Sequence, residues 1–365
     1  MTDRTLALHC FASLPGCGPK ALQALLDRDP VHLWFQATEA DFLDFIPRGG
    51  KSVYQTYTQY NPSTFWQQEQ AYFEKHDIWA ITPKNEAYPE SLGQLDVPPA
   101  LLYGRGQIPD LRHSLSVIGT RKYSSYGKRI CSQLISELAE GGMTIISGLA
   151  LGIDSIAHQA CLDGGGVTLG ILGGGLDDSV LYPKQNRQLV EHMIAQGGGV
   201  ISEFPPLTQP RKEYFPIRNR LVAGISSGIL VIEAPEKSGT LITVNYGLEQ
   251  NKDIFAVPGN IDQKTSSGTN YLLKQGAYVV TQAQDIFEVY GVDVELEATS
   301  LASFSQEQQE IVSLLQDQPC NVEVLSDHLQ QDVADILTPL SLLELEGVIT
   351  QDRQGVYQLK VRIVE

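Results

Sequence analysis

Apolar and polar positions divide this chain into three stretches of different period. From residue 1 to about 75, apolar residues recur at helical spacing in short runs broken by Pro15, Pro30, Pro47 and Pro62. There, LPGCGPKALQALL sets Gly16 and Gly18 in a turn ahead of an amphipathic run carrying Leu22, Leu25 and Leu26. The pattern predicts a hairpin of two helices, whose turn fits either backbone amides facing a phosphate or a plain structural turn. The stretch from Ile78 to Gly106 is rich in proline and ends in the apolar run ALLYG, which leads into a sheet.

The middle of the chain alternates continuous apolar runs with helical segments. LSVIG, MTIISG, VTLGILGGG, GVISE, GILVIEA and DIFAVPG read as strands, while KRICSQLISELAEGG and IDSIAHQACLDGG read as helices stopped by glycine. Apolar strands separated by helices predict a mostly parallel sheet covered on both faces. AYVVTQAQDIFEVYG closes this domain, and the acidic VDVELEATS is the expected linker. From Ser305 onward, short helices precede a hairpin around Gln354 and Gly355, the pattern of a winged helix.

The expected fold is therefore α/β, an extended Rossmann-like, mostly parallel sheet core with a small helical N-terminal domain and a C-terminal winged-helix domain. Its boundaries are 1–75 for a helix-hairpin-helix region, 76–290 for the core, 291–304 for the linker and 305–365 for the winged helix.

Charge complicates this picture before it helps. The chain carries a formal net charge of −17, and a phosphate-binding surface ordinarily leaves a basic footprint. The acids are unevenly placed, however. Residues 301–365 hold eleven acids against three bases, whereas Arg211–Arg220 holds four bases and one acid. Overall acidity thus leaves room for a local cationic pocket. In the winged helix, Glu344 and Glu346 on or near the last helix oppose phosphate, so protein contact or simple packing is expected there.

Five scattered cysteines (Cys10, Cys17, Cys131, Cys161, Cys320) show no C-x-x-C pair or zinc spacing, which fits reduced thiols and no metal. The N-terminus lacks a signal-peptide core and no apolar run approaches about 18 residues. A soluble, cytoplasmic protein without membrane insertion is expected.

The chemistry is expected at the carboxyl ends of the core strands, where open α/β sheets bind ligands. Five loops fall there. IGTRKYSSYGKR supplies Gly119 for close backbone approach, the Thr120 hydroxyl and the Arg121 fork. SGLALGIDSIAH supplies Ser147, Gly148 and Gly152 ahead of a helix start that favours an anion. Asp154 and His158, one turn apart, suit a helix cap and a satisfied core histidine better than a metal pair. LGGGLDDSVLYPKQNRQL carries Gly173, Gly174 and Gly175, then Tyr182, Lys184, Asn186 and Arg187, an interleaving of aromatic and basic groups that suits exposed bases. EYFPIRNRLVAG brings Phe215, Arg218, Asn219 and Arg220, read as a short loop. EAPEKSGTLITVNYG sets Ser238, Gly239 and Thr240 at another helix start. Neither the dinucleotide fingerprint G-x-G-x-x-G nor a Walker loop is present, so no nucleotide cofactor is expected.

IGTRKYSSYG, SGLALGIDSIAH, LGGGLDDSVLYPKQN, FPIRNRLVAGIS, VIEAPEKSGTLIT and FAVPGNI, in that order and spacing, resemble the DprA/Smf family of DNA-processing proteins. The resemblance runs roughly from Pro89 to Asp285, and the N-terminal region fits the family's SAM-like accessory domain more loosely. It implies a homodimeric protein that binds single-stranded DNA, protects incoming strands during natural transformation and loads the RecA recombinase. Carried over, Gly119, Thr120 and Arg121 would hold phosphate with Lys184 as a second cation. Arg218, Asn219 and Arg220 would line the same groove, and Gly239 and Thr240 would close it. A competing reading is a Rossmann-like nucleoside-monophosphate phosphoribohydrolase, whose P-G-G-x-G-T-x-x-E motif places a glutamate on the ribose. Here the run is PEKSGTLITVN, and Thr243 stands where that carboxylate would be. Without it, acid–base work on a glycosidic bond lacks its reagent, and no other catalytic residue is expected.

Overall fold

The computed structural model describes residues 1–292, 298–301, 304–351, 355–359 and 361–364. The predicted apolar runs become strands of one sheet. In chain order these are β1 (Trp79–Ile81), β2 (Leu102–Gly106), β3 (Ser114–Ile118), β4 (Thr144–Ser147), β5 (Thr168–Ile171), β6 (Gly199–Ser202), β7 (Gly228–Val231), β8 (Asp253–Ala256) and β9 (Tyr278–Val279). Among the described residues the spatial order is β1-β2-β6-β5-β4-β3-β7-β8-β9. The run from β6 to β9 is parallel, and β2 joins antiparallel on both of its sides.

Side chains alternate across a strand, and both faces of this sheet are apolar. In β6, Val200 joins one core cluster and Ile201 the other. That is why these strands read as unbroken apolar runs, with the helices Ser125–Glu140, Ile153–Asp163, Tyr214–Ile225 and Gly239–Glu249 between them.

The N-terminal prolines open helices as often as they interrupt them. Pro19, Pro30 and Pro62 stand at the starts of Pro19–Leu26, Pro30–Gln36 and Pro62–Lys75, where a missing N–H costs nothing. The Asp29 side chain caps the second of these, accepting from the Val31 and His32 amides. Gly16 has φ +93°, the left-handed conformation that the predicted hairpin turn needs. These helices share a core with the sheet: Leu8, Phe11 and Trp34 belong to the same buried cluster as Val190, Met193 and Val200. Polar ties cross the same boundary. His9 Nδ1 lies 3.1 Å from the Tyr103 hydroxyl of β2 and Tyr72 donates to Asp177 at 2.6 Å, while His9 Nε2, 2.7 Å from Glu69, ties two of the helices to each other. Residues 1–292 accordingly form one compact unit.

Residues 293–365 form the second unit. Helices Gln306–Asp317, Val322–Leu329 and Val333–Leu345 pack around Ile311, Val312, Leu325, Ile336, Leu340 and Leu343. β10 (Ala298–Ser300) pairs parallel with β14 (Arg362–Val364), and β11 (Cys320–Asn321), β12 (Ile349–Gln351) and β13 (Val356–Leu359) form an antiparallel sheet. This is the predicted winged helix. Gln354 and much of the expected linker lie outside the described residues.

Trp34 is fully buried against the rings of Phe11 and Tyr57, and its indole N–H donates to the Pro62 carbonyl at 3.2 Å. Trp34→Ala should cost about 3–5 kcal/mol. Urea denaturation should show a lower midpoint at an unchanged slope, because the helices and sheet share a core.

Candidate functional site

The strand order creates a crevice before any side chain is considered. From β3 the chain winds through β4, β5 and β6 on one side, and β7 then pairs on the other side of β3. Loops leaving β3 and β7 diverge at this switch point, and the gap between their carboxyl ends is where open sheets hold ligands. A cavity of about 280 Å³ lies there. Gly119, Thr120 and Arg121 line it after β3, Gly148, Ala150 and Asp154 after β4, and Pro235, Ser238, Gly239, Thr240 and Thr243 after β7. Phe215, Arg218 and Asn219 also line it.

The first two loops are locked together by backbone contacts. Gly152 has φ +100°, and a Cβ there would stand 2.5 Å from Arg121 Cα and 2.6 Å from the Thr120 oxygen. The Ile153 amide donates to that same Thr120 oxygen at 3.3 Å. Thr120 in turn donates its N–H to the Glu233 carbonyl at 2.8 Å, and its hydroxyl accepts from the Lys122 amide at 3.1 Å. The Glu233 side chain is buried and accepts from the Ser124 amide at 2.9 Å, the Ser124 hydroxyl at 2.6 Å and Thr265 at 2.9 Å. Its carboxylate thus anchors the start of Ser125–Glu140, and with it the Gly119–Ser124 loop.

Arg218 ties in the next two. Its buried guanidinium donates to the Gly148 carbonyl at 2.6 Å, to Ile171 of β5 and to Asn219 Oδ1 at 3.2 Å. A Cβ on Gly148 would meet Arg218 Nη2 at 2.7 Å and Asp154 Oδ2 at 2.8 Å, so a side chain there would have to displace that pair. Burial lowers the Arg218 pKa to about 10, with Asp154 acting in the opposite direction and Arg121 adding to the depression. Burial also raises the Asp154 carboxyl to about 6, against the pull of Arg218 and the Ala150 amide. The cavity therefore pairs a charged guanidinium with an acid that titrates near neutrality.

At the mouth the chemistry is open. Arg121 is exposed, makes no ion pair within 4 Å among the described residues, and stands 5.7 Å over the Phe215 ring. Phe215 lies 5.9 Å from Tyr182, which is half exposed. The helix Gly239–Glu249 also starts on the cavity: Ser238, Gly239 and Thr240 line it and Ser238 makes no side-chain capping bond, so the positive end of the helix dipole lies at the recess. A cation, free amides and flat rings around one recess can hold an anion and stack a planar group.

The structure gathers ten of the expected residues on this cavity: Gly119, Thr120, Arg121, Gly148, Phe215, Arg218, Asn219, Ser238, Gly239 and Thr240. The rest have other surroundings. Ser147 is buried and donates to the Val117 carbonyl at 2.6 Å. Gly152 works through its backbone, and Gly174 is buried against Pro210 while its carbonyl accepts from Ser202. Asn186 is buried and donates to the Leu149 carbonyl and the Ser155 hydroxyl, both at 2.8 Å. Arg187 pairs with Asp178. Lys184 is exposed and has no ion pair among the described residues, on the turn that follows Tyr182.

The segment read as a short loop is a correction: Tyr214–Ile225 is helical. Residues 218 and 220, two apart, therefore point to nearly opposite sides. Arg220 points away from the cavity to Glu203 and to the Val97 carbonyl at 2.7 Å. Two further residues belong to this scaffold: Asp154, read above as a helix cap, and Glu233. Asp154 lines the cavity and accepts from the Ala150 amide at 3.3 Å, although the helix cap itself is Gly152. Glu233 had a signal, a lone acid inside the apolar run GILVIEA. His158 is buried with Nδ1 2.7 Å from the Thr168 hydroxyl, but its Nε2 has no hydrogen-bond partner among the described residues, so the expected satisfied histidine is met on one nitrogen only. No group of three or more metal-ligating side chains occurs among the described residues, and no helix there is long and apolar enough to cross a membrane.

A family model described as DNA recombination-mediator protein A matches residues 79–291, and a DprA winged helix domain model matches residues 295–355. Protein Smf of Escherichia coli is 36% identical over 291 residues, 77% of this chain and 77% of the relative. DNA processing protein DprA of Bacillus subtilis is 39% identical over 220 residues, 60% of this chain and 73% of the relative. The X-ray structure of DNA processing protein A from Streptococcus pneumoniae is similar with TM-score 0.63 and 30% identity, covering 79% of this chain and 98% of that one. The Helicobacter pylori protein, whose structure is described for its single-stranded DNA binding mode, gives TM-score 0.52 and 31% identity, covering 59% of this chain and 97% of that one.

Because Asp154 takes up its proton near pH 6 while Arg218 stays charged, the cavity becomes more positive as pH falls through that value. Sulfate affinity measured by calorimetry should rise between pH about 7 and about 5. Asp154→Asn should remove the pH dependence and hold the affinity at its low-pH level.

Proposed function

The chain belongs to the DNA recombination-mediator protein A family, and from that premise we propose that the switch-point cavity binds single-stranded DNA without a chemical step. One observation carries this reading: Arg121, without an ion pair among the described residues, stands over Phe215 on a recess that is also lined by the start of a helix lacking a side-chain cap. A phosphate seats against Arg121 and the amides near Gly239 and Thr240, and an unstacked base lies on Phe215 or Tyr182. In a duplex the bases are stacked on one another, so such rings select for single strands. Lys184, beside Tyr182, extends the cationic track.

The only carboxylate lining the cavity among the described residues is Asp154, buried and held by the Ala150 amide. Thr243 lines the cavity at the position where a ribose-directed glutamate would stand. Both favour binding over hydrolysis. The finer parts of the proposal are protection of incoming strands during natural transformation, delivery of the strand to a RecA-type recombinase, and a homodimer as the working form in the cytoplasm. The family's description as a recombination mediator supports the second. Exposed Leu248 and the edge strand β9, with Tyr278 and Val279 exposed, support the third.

Arg121→Ala should weaken a labelled single-stranded oligonucleotide about tenfold and lower its logarithmic salt slope by about one, read by anisotropy titration over a salt series. Lys184→Ala should act in the same direction. Arg187→Ala and Arg220→Ala, whose guanidinium groups are already paired, should bind within about twofold of the parent. Parental affinity in the Arg121 and Lys184 variants would remove the proposed pocket.

A further inference from the structure

The third helix of the C-terminal domain occupies the place of a DNA-reading helix but carries none of its chemistry. Val333–Leu345 reads VADILTPLSLLEL, with no lysine, arginine, asparagine or glutamine. One side, with Ile336, Pro339, Leu340 and Leu343, is buried in the domain's own core. On the other side Val333, Leu337, Leu342 and Leu345 are exposed, Leu345 by 85%. Val333, Leu337, Ser341 and Leu345 follow at intervals of four and form one continuous stripe. Exposed Glu344 borders that stripe on one side, and exposed Asp335 and Glu346 lie beyond Leu342 on the other.

We propose that this face docks a basic amphipathic helix of a protein partner, one that carries leucine-like side chains along its centre and lysine or arginine on both flanks. The apolar stripe supplies the anchors that a helix packs against. The flanking carboxylates select the sign of the partner's rim. Duplex DNA fits neither feature, because the helix offers no arginine, lysine, asparagine or glutamine to read base edges and its acids repel phosphate. A second copy fits poorly too, since eleven acids against three bases in residues 301–365 set like charge against like.

The test uses the full chain and a labelled, all-helical peptide of about 18 residues with leucines on one face and lysines on both flanks. Its control has the same composition in scrambled order. The amphipathic peptide should bind at least about tenfold more tightly than the scrambled one at physiological salt. A Leu337→Ser, Leu345→Ser double variant, altered only at exposed positions, should bind both peptides equally and weakly. Equal binding of the two peptides to the parent chain would reduce the effect to bulk charge and overturn the proposal. So would unchanged peptide binding by the double variant, or sedimentation velocity showing that the leucine changes dissolve a self-associated form while peptide binding persists.

Discussion

The Arg218 guanidinium donates to the Gly148 and Ile171 carbonyls, and so holds the ends of β4 and β5 against the helix Tyr214–Ile225. Removing a charged group from water is costly unless acceptors surround it. Here two strand-end carbonyls and the Asn219 side chain provide them, with Asp154 as the nearby opposite charge. The same group that shapes the cavity also makes it positive. Its burial leaves the direct contact with a ligand to Arg121, which is exposed.

Around that anchor the loops are fixed by backbone. Gly152 and Gly148 stand where a side chain would collide with the next loop or with the guanidinium, so the recess is made by what those positions lack. Glu233 extends the same scaffold by binding both polar groups of Ser124 from across the switch point. A buried, hydrogen-bonded scaffold carrying an exposed cation and aromatic rim suits a ligand that is long, flexible and charged at every repeat. Such a scaffold can hold a phosphate by geometry and tolerate any base.

An acidic chain can carry a recess suited to an anion because electrostatics is local over the screening distance in salt solution. The acids of residues 301–365 belong to a separate compact unit whose third helix shows leucines and carboxylates to solvent. The two units thus present opposite chemistries: a recess with an unpaired arginine in one, an acid-bordered apolar face in the other.

Much of this was legible in the sequence. Strands buried on both faces must be apolar throughout, so six runs such as LSVIG and GILVIEA announced the parallel core. Parallel strands share one carboxyl edge, and that alone placed the loops after β3, β4 and β7 together. Side-chain direction was not legible. FPIRNR resembles a loop when read for charge and proline, yet it is helical, and helical geometry sends Arg218 inward and Arg220 toward Glu203. Nor does spacing reveal that Asn186 and Ser147 spend their polar groups on buried carbonyls, or that Asp154 faces the cavity. Periodicity and residue type determined the fold class, the edge that carries the site and the residue types gathered there. Which of those residues remain free to touch a ligand was decided by long-range contacts alone, because a buried polar group must take a partner wherever the packed chain supplies one.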